Sequence, residues 1–259
     1  MKGELSVSYI SYEDYEIYYE VFGEGEPLLM IHGNTASSKM LKEEAIYYSN
    51  YYKIILVDMI GHGKSKKIDV FPKDYWIANT KVLSKLCNKL KLNKINILGT
   101  SGGAILALNF AINRPEIVNK VIADSFIGEK LTIQEAQKIK EERQIAKRNG
   151  ADKFWKYMHG EDWEKVVDTD SEMLINYARE FENNFKNKLY KISCPVLITG
   201  SLKDNLIRDI DKRLTSVAKQ IKTSFTIFTS EGDHPLMLSK KEFYRNLVNK
   251  FLKVCIYPK

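Results

Sequence analysis

Residues 95–112 run Ile95-Asn96-Ile97-Leu98, then Gly99-Thr100-Ser101-Gly102-Gly103, then Ala104-Ile105-Leu106-Ala107-Leu108-Asn109-Phe110-Ala111-Ile112. The first four residues are a short apolar run, the pattern of a strand buried on both faces of a parallel sheet. The last nine are apolar almost all round, the pattern of a buried helix. Between them stands G-x-S-x-G. A strand can pass into a helix this abruptly only through a sharp turn, and glycines on both sides of the serine let the backbones approach without Cβ clashes. The serine then projects its oxygen at a helix N-terminus, where free N–H groups and the helix dipole favour a developing anion. The bland alternative is that Ser101 merely caps the helix.

Working outward, the same kind of strand recurs. Val7–Ile10 and Tyr15–Phe22 read as an opening strand pair ended by Gly23-Glu24-Gly25. Leu28–Ile31, Ile54–Val57, Val121–Ala123, Val196–Ile198 and Phe225–Phe228 are short apolar runs predicted to be strands buried on both faces. Helical patterns lie between them. Asp74–Leu90 puts Trp76, Thr80, Leu83, Cys87 and Leu90 on one face, so Cys87 reads as core, and Lys240–Phe251 carries Phe243, Leu247, Val248 and Phe251. Strand–helix alternation predicts an α/β doubly wound domain with right-handed crossovers, a mostly parallel twisted sheet with helices on both faces. From about 129 to 190 the alternation stops and only helical pattern remains, with Met173, Leu174, Tyr177, Ala178, Phe181 and Phe185 in one stripe. The expected organisation is a core of 1–128 and 191–259 with an all-helical insertion, 129–190, after the sixth strand. No repeat or low-complexity segment is visible.

Composition removes several classes of function. At 259 residues, 44% hydrophobic and 28% charged, the chain is ordinary globular protein, long enough to bury a full core. Its net charge of +7 is dispersed: residues 129–190 hold 12 basic and 13 acidic residues, and Lys85, Lys89, Lys91 and Lys94 read as the solvated side of an amphipathic helix. A nucleic-acid partner is not expected. Cys87, Cys194 and Cys255 are scattered and odd in number, which speaks against a disulfide framework and for a reducing, cytoplasmic setting. His32, His62, His159 and His234 lack ligand spacing, so no metal is expected. No apolar run approaches the ~18 residues of a membrane span. No apolar stretch follows Lys2, so no secretory signal is expected, and Cys255 stands too far from the end for prenylation. Gly63-Lys64-Ser65 is not a phosphate loop, because the glycine needed five positions before Gly63 is Asp58. No nucleotide or other cofactor is expected.

With these motifs in place the chain resembles the α/β-hydrolase superfamily over essentially its whole length. Four motifs carry the resemblance in the family's chain order: His32-Gly33-Asn34 after the third strand, Asp58-Met59-Ile60-Gly61-His62-Gly63-Lys64-Ser65 after the fourth, Gly99–Gly103, and the pair Gly200-Ser201-Leu202-Lys203-Asp204 and Gly232-Asp233-His234. The helical stretch 129–190 sits where the family inserts its cap. A serine hydroxyl needs a base, and the base an orienting carboxylate. The order Ser101…Asp204…His234 is the one this fold uses. Asp124, which also ends a strand, is the alternative acid. Asp209 and Asp211 read as solvated, and Asp233 as loop-shaping. The resemblance assigns the backbone N–H groups of Asn34 and Gly102 to an oxyanion hole, and leaves His32 and His62 as structural loop residues. The string from His32 to Ser38 also resembles the corresponding turn of haloalkane dehalogenases, but those carry an aspartate where Ser101 stands, and a serine alkyl ether could not be hydrolysed as an ester intermediate can.

The expected activity is therefore that of a serine esterase acting on a small to medium neutral carboxylic ester through an acyl-enzyme, without metal or cofactor. The alternatives on the same triad are C–C bond hydrolysis, perhydrolysis, thioester hydrolysis and acyl transfer. A non-catalytic ligand-binding protein on the same fold is a further one. Phe154, Trp155, Tyr157, Met158 and Trp163 are expected to divide between ordinary packing and the substrate cleft.

Overall fold

In the computed structural model, described over residues 6–253, eight strands form one sheet in the order β1-β2-β4-β3-β5-β6-β7-β8. In chain order the elements are β1 (Ser6–Tyr12), β2 (Tyr15–Phe22), β3 (Pro27–Ile31), α1 (Lys42–Tyr48), β4 (Lys53–Val57), α2 (Tyr75–Lys89), β5 (Ile95–Thr100), α3 (Gly102–Asn113) and β6 (Val118–Asp124). The helices α4 (Ile133–Ala146), α5 (Asp152–His159) and α6 (Trp163–Glu180) follow. The chain then returns through β7 (Val196–Ser201), α7 (Ile210–Lys219), β8 (Ser224–Thr229), α8 (Leu236–Ser239) and α9 (Lys241–Lys253). The β1–β2 and β2–β4 pairs are antiparallel and all others parallel. Cys255 lies outside the described residues. No helix among them is long and apolar enough to cross a membrane.

Period-two alternation distributes each central strand between two cores. Leu28 and Met30 of β3, with Ile54 and Leu56 of β4, point to a layer closed by Ala45 and Tyr48 of α1 and Tyr244 and Val248 of α9. Leu29, Ile31, Ile55 and Val57 point the other way, into a core that also takes in Leu83 of α2, Leu108 of α3 and Leu214 of α7. Each such side chain, fully buried, contributes roughly 1.5–3 kcal/mol of transfer free energy, which is why these runs show no polar alternation. Trp76, Thr80, Leu83 and Cys87 are buried in α2 as the stripe predicts.

Two expectations are corrected. The Phe225–Phe228 run is not a doubly buried strand: β8 is the sheet's last strand, paired only to β7, and Phe225 is 44% exposed. Phe243 is likewise exposed, because α9 turns Tyr244, Val248 and Phe251 to the sheet instead.

Residues 129–190 hold only helices among their regular elements. Thr132 and Glu135 close a reciprocal capping box at the start of α4. Gly150, at φ 95°, turns the chain between α4 and α5. The stripe on α6 does what its spacing implies: Met173, Leu174 and Tyr177 join the α2–α3 side of the core, with Phe185 packed edge-on against Phe126.

Candidate active site

The strand order reverses at β3, whose chain successor β4 lies on one side and β5 on the other. A crevice beyond the carboxyl ends of strands is expected at such a switch point. The register sets Ile31 beside Gly99, bringing His32-Gly33-Asn34 alongside Thr100-Ser101. Glycine makes the approach possible. A Cβ on Gly99 would run into the Gly103 carbonyl, one on Gly103 into the Ile31 carbonyl of β3, and one on Gly33 would come 3.0 Å from the Ser101 Cβ. Ser101 itself is held at φ 53°, ψ −124°, a conformation that a non-glycine residue adopts only under constraint from its surroundings. Its N–H donates to the Asp124 carbonyl at 2.8 Å, while its side chain makes no capping bond to α3. Helix capping is therefore not what the hydroxyl does.

Asp204 and His234 meet. The loop after β7 folds so that Asp204 Oδ1 accepts the N–H groups of Leu206 (2.9 Å) and Ile207 (2.8 Å), leaving Oδ2 to accept from His234 Nδ1 at 2.9 Å. The Asp204 side chain is fully buried, and the His234 backbone N–H is tied to Asn205 Oδ1. With Nδ1 committed to Asp204, Nε2 is the free ring nitrogen. Ser101 and His234 line one cavity of about 460 Å³. No hydrogen bond joins them among the described residues; catalytic bonds of this kind commonly tighten only around substrate. The backbone N–H groups of Asn34 and Gly102 meet no protein acceptor among the described residues.

Asp124 stands elsewhere. Thr100, Asp124 and Thr199 are neighbours across β5, β6 and β7. The Asp124 carboxylate accepts from both threonine hydroxyls (3.1 and 2.8 Å), from the Ser125 hydroxyl (3.1 Å) and from the Met237 N–H (3.2 Å). It makes no bond to the His234 ring. Burial pushes it up to about 6, against the lowering effect of those hydrogen bonds. This carboxylate braces the residue before the serine, the strand leading to Asp204 and the segment just after His234. Asp209 is exposed beside Lys212, and the Asp233 carbonyl accepts from Ser239 within the loop.

His32 accepts the Met59 N–H on Nε2 and donates to the Gly33 carbonyl, so it shapes backbone as expected. The sequence gives no hint of the polar cluster beside it. His159, at the end of α5, accepts the Gly63 N–H and donates to the Thr35 carbonyl, both at 3.0 Å. Asp170, in the middle of α6, accepts from Asn34 Nδ2 at 2.7 Å and from Arg143 at 2.8 Å, with His62 Nε2 at 3.2 Å. Burial alone would raise the Asp170 carboxyl, but the Arg143 guanidinium and His62 hold it below the usual carboxylate range. Apart from Arg143, 27 positions from Asp170, these partners lie more than 90 residues apart in the chain, so no local spacing could have shown them.

The buried histidines carry a stability consequence. Burial pulls His32 down to about 4 and His159 to about 3, the neighbouring His62 adding to both. Below about pH 6 the unfolded chain therefore binds two protons that the folded chain refuses, while Asp124 binds one in the folded state that the unfolded chain does not. Over these three groups the net is one proton favouring unfolding, so their share of the stability should fall by roughly 1 kcal/mol per pH unit from pH 6 to 4. His159→Gln should flatten that slope in urea titrations. An unchanged slope would mean the imidazole is not held neutral.

Most of the remaining wall is apolar, including Ala36, Met40, Trp76, Leu131, Ile139 and Leu174, with Glu142 and Asn184 among its polar members. Of the five aromatic and Met positions singled out in 129–190, Phe154 and Trp155 line it. Trp163 stacks behind Trp155 at 6.0 Å, Met158 is buried with its sulfur 3.2 Å from the Ser37 hydroxyl, and Tyr157 is exposed. Arg143 reaches the cavity wall already paired with Asp170. No group of three or more His, Cys, Asp or Glu side chains among the described residues is arranged to hold a metal.

The chain is similar to known proteins. A family model described as the alpha/beta hydrolase fold matches residues 26–148. The chain is 32% identical over 116 residues to the 2-hydroxy-6-oxo-6-phenylhexa-2,4-dienoate hydrolase of Comamonas testosteroni, covering 42% of this chain and 39% of that one. It is 24% identical over 254 residues to the serine hydrolase BPHL of Homo sapiens, covering 92% and 83%. Thus the chain spans less than half the length of some curated relatives it matches. An esterase structure from Exiguobacterium antarcticum superposes with TM-score 0.78 at 21% identity, covering 98% of this chain and all of that one; at such identity the likeness is one of fold.

Proposed function

We propose that this chain, which has the alpha/beta hydrolase fold, is a serine hydrolase cleaving a small to medium neutral carboxylic ester through an acyl-enzyme. The observation that carries the reading is the convergence of three parts on one cavity: a serine held at positive φ, an imidazole oriented by a buried carboxylate, and two uncommitted N–H groups. Ser101 Oγ attacks the ester carbonyl as His234 Nε2 takes its proton, and the Asp204 carboxylate stabilises the imidazolium. The carbonyl oxygen, now anionic, is received by the Asn34 and Gly102 N–H groups; such a donor is worth roughly 3–4 kcal/mol in the transition state. Collapse expels the alcohol, which leaves with the proton from His234. Water, deprotonated by His234, then releases the acid and restores Ser101. Residues 129–190 act as the cap that closes the cleft. The free, buried Cys87 and Cys194 support a reducing, cytoplasmic setting.

A neutral substrate suits the cavity: its walls are largely apolar, and the two charged side chains on them are paired outside it, Arg143 with Asp170 and Glu142 with Lys138. A panel of p-nitrophenyl esters of increasing acyl length, neutral and carboxylate-bearing, tests this, with labelling by a fluorophosphonate. Best turnover of charged esters would overturn the specificity, and absence of both labelling and turnover would overturn the reading. The similarity to the Comamonas testosteroni hydrolase favours C–C bond hydrolysis as a second reading; release of a carboxylic acid from a vinylogous 1,5-diketone, with no ester turned over, would establish it. Trp155→Ala should enlarge the cleft and shift preference towards longer acyl chains, leaving labelling of Ser101 by a small organophosphate nearly unchanged. Trp163→Ala should shift it less, since that ring touches the cavity only through Trp155. An unaltered ranking of esters in both variants would remove the insertion from substrate choice.

A further inference from the structure

We infer that Asp170 is a positioning residue of the anion-binding turn, so that seating of the helical insertion and completion of the oxyanion hole are one event. The inference rests on the serine-hydrolase reading above. Asn34 is held through its amide nitrogen, and its amide oxygen lies beside Gly102. Nδ2 donates to Asp170 Oδ2 at 2.7 Å, across 136 positions of sequence, and Oδ1 packs so closely on Gly102 that no Cβ would fit there. One side chain thus links the insertion to the two residues whose N–H groups face the oxyanion.

The backbone around Asn34 needs that restraint. Thr35, a β-branched residue, sits at φ 53°, a conformation that persists only when its surroundings impose it. Its carbonyl accepts from His159 at 3.0 Å, and its N–H approaches His62 Nε2 at 3.4 Å. His62 in turn stands 3.2 Å from Asp170. Two of the groups fixing the turn, Asp170 and His159, therefore belong to the insertion, and the third rests against one of them.

Fastening two parts of a protein together does not call for a buried carboxylate; apolar side chains of similar volume do it as well or better. What a carboxylate adds is a short, directional, charge-assisted bond to the amide. A bare negative charge here would oppose the oxyanion. Arg143 answers that by donating to Asp170 Oδ1 at 2.8 Å, with Ser171 Oγ at 2.9 Å beside it. The Arg143–Asp170 pair is thus a neutralised anchor that orients Asn34 without repelling the developing charge.

The test is a double-mutant cycle on p-nitrophenyl butyrate turnover with Asn34→Ala, Asp170→Ala and the double variant. Asp170→Ala should lower kcat by roughly 10- to 100-fold, at or just below the loss of one direct oxyanion donor, with KM within about threefold. The double variant should be no slower than the slower single variant, because both substitutions release the same turn. A purely structural role predicts lowered stability with kcat intact, or losses that multiply. If Asp170→Ala does not fold, the apolar pair Arg143→Met with Asp170→Leu strands no charge and should show the same kcat loss; full kcat in that folded pair overturns the inference. Wild-type protein that neither reacts with fluorophosphonate nor turns over any ester sinks the serine-hydrolase reading itself. Wild-type labelling and turnover with unaffected Asp170 variants sinks only this inference.

Discussion

Ser101→Ala should lose ester turnover by roughly 10⁴-fold or more while its melting temperature stays within a few degrees of the parent. The two halves of that expectation come from different observations. Activity should collapse because Ser101, on the turn from β5 into α3, lines the cavity shared with His234, whereas the neighbouring Thr100 hydroxyl is committed to the Asp124 carboxylate. Stability should hold because the hydroxyl caps nothing, makes no bond to the helix and is only half-buried, so its removal leaves no buried partner unsatisfied. Alanine meets the same positive φ with the same Cβ, so backbone strain is unchanged. Matched measurements of kcat and thermal unfolding decide the matter. Retained turnover would displace the nucleophile, and lost stability with retained turnover would restore the helix-cap alternative.

Asp204→Asn should cost nearly as much, about 10⁴-fold in kcat, because an amide in this position presents an N–H to Nδ1 and favours the wrong imidazole tautomer. The geometry leaves little room for compensation. Asp204 Oδ1 is fixed by two backbone N–H groups, so the amide nitrogen must take the place of Oδ2 or disrupt the loop. Asp124→Asn should cost far less. It touches the hydroxyls of Thr100 and Thr199 and the Met237 N–H, and an asparagine oxygen can keep part of that set. Its loss would be felt through small displacements of the elements it braces. The reverse ranking would move the orienting acid to the end of β6.

Local sterics and burial leave local traces, and these were legible. Gly99 and Gly103 flag a turn because their hydrogens face backbone carbonyls, and Leu28–Ile31 shows no polar alternation because both of its faces are packed. The pairing of Asp204 with His234 followed from chain order and strand ends together. Edge position is different: Phe225–Phe228 reads like a central strand because its apolar run records propensity, whereas its half-exposure depends on no further strand lying beside β8 among the described residues. The Asp170–Asn34–Arg143 cluster was invisible for a related reason. An aspartate inside an amphipathic helix reads as solvated surface unless the fold turns that face inward, and nothing near residue 170 records what stands opposite.

The placement of β7 has a consequence for how the chain acquires activity during synthesis. The strands carrying the Asn34 turn and Ser101, β3 and β5, pair with each other, and β5 with β6, within the first half of the chain. Asp204 and His234 arrive on β7, β8 and the loops after them, once the helices from Ile133 to Glu180 have been made. Docking β7 on β6 closes a connection of roughly 70 residues, a non-local parallel pairing of the slow kind. Until then Thr199 is absent from the Thr100–Asp124–Thr199 row, and a serine already set on its turn has no base. On the proposed serine-hydrolase reading, premature acylation of a half-made chain would thereby be precluded, and turnover in a refolding experiment would time the last strands to dock.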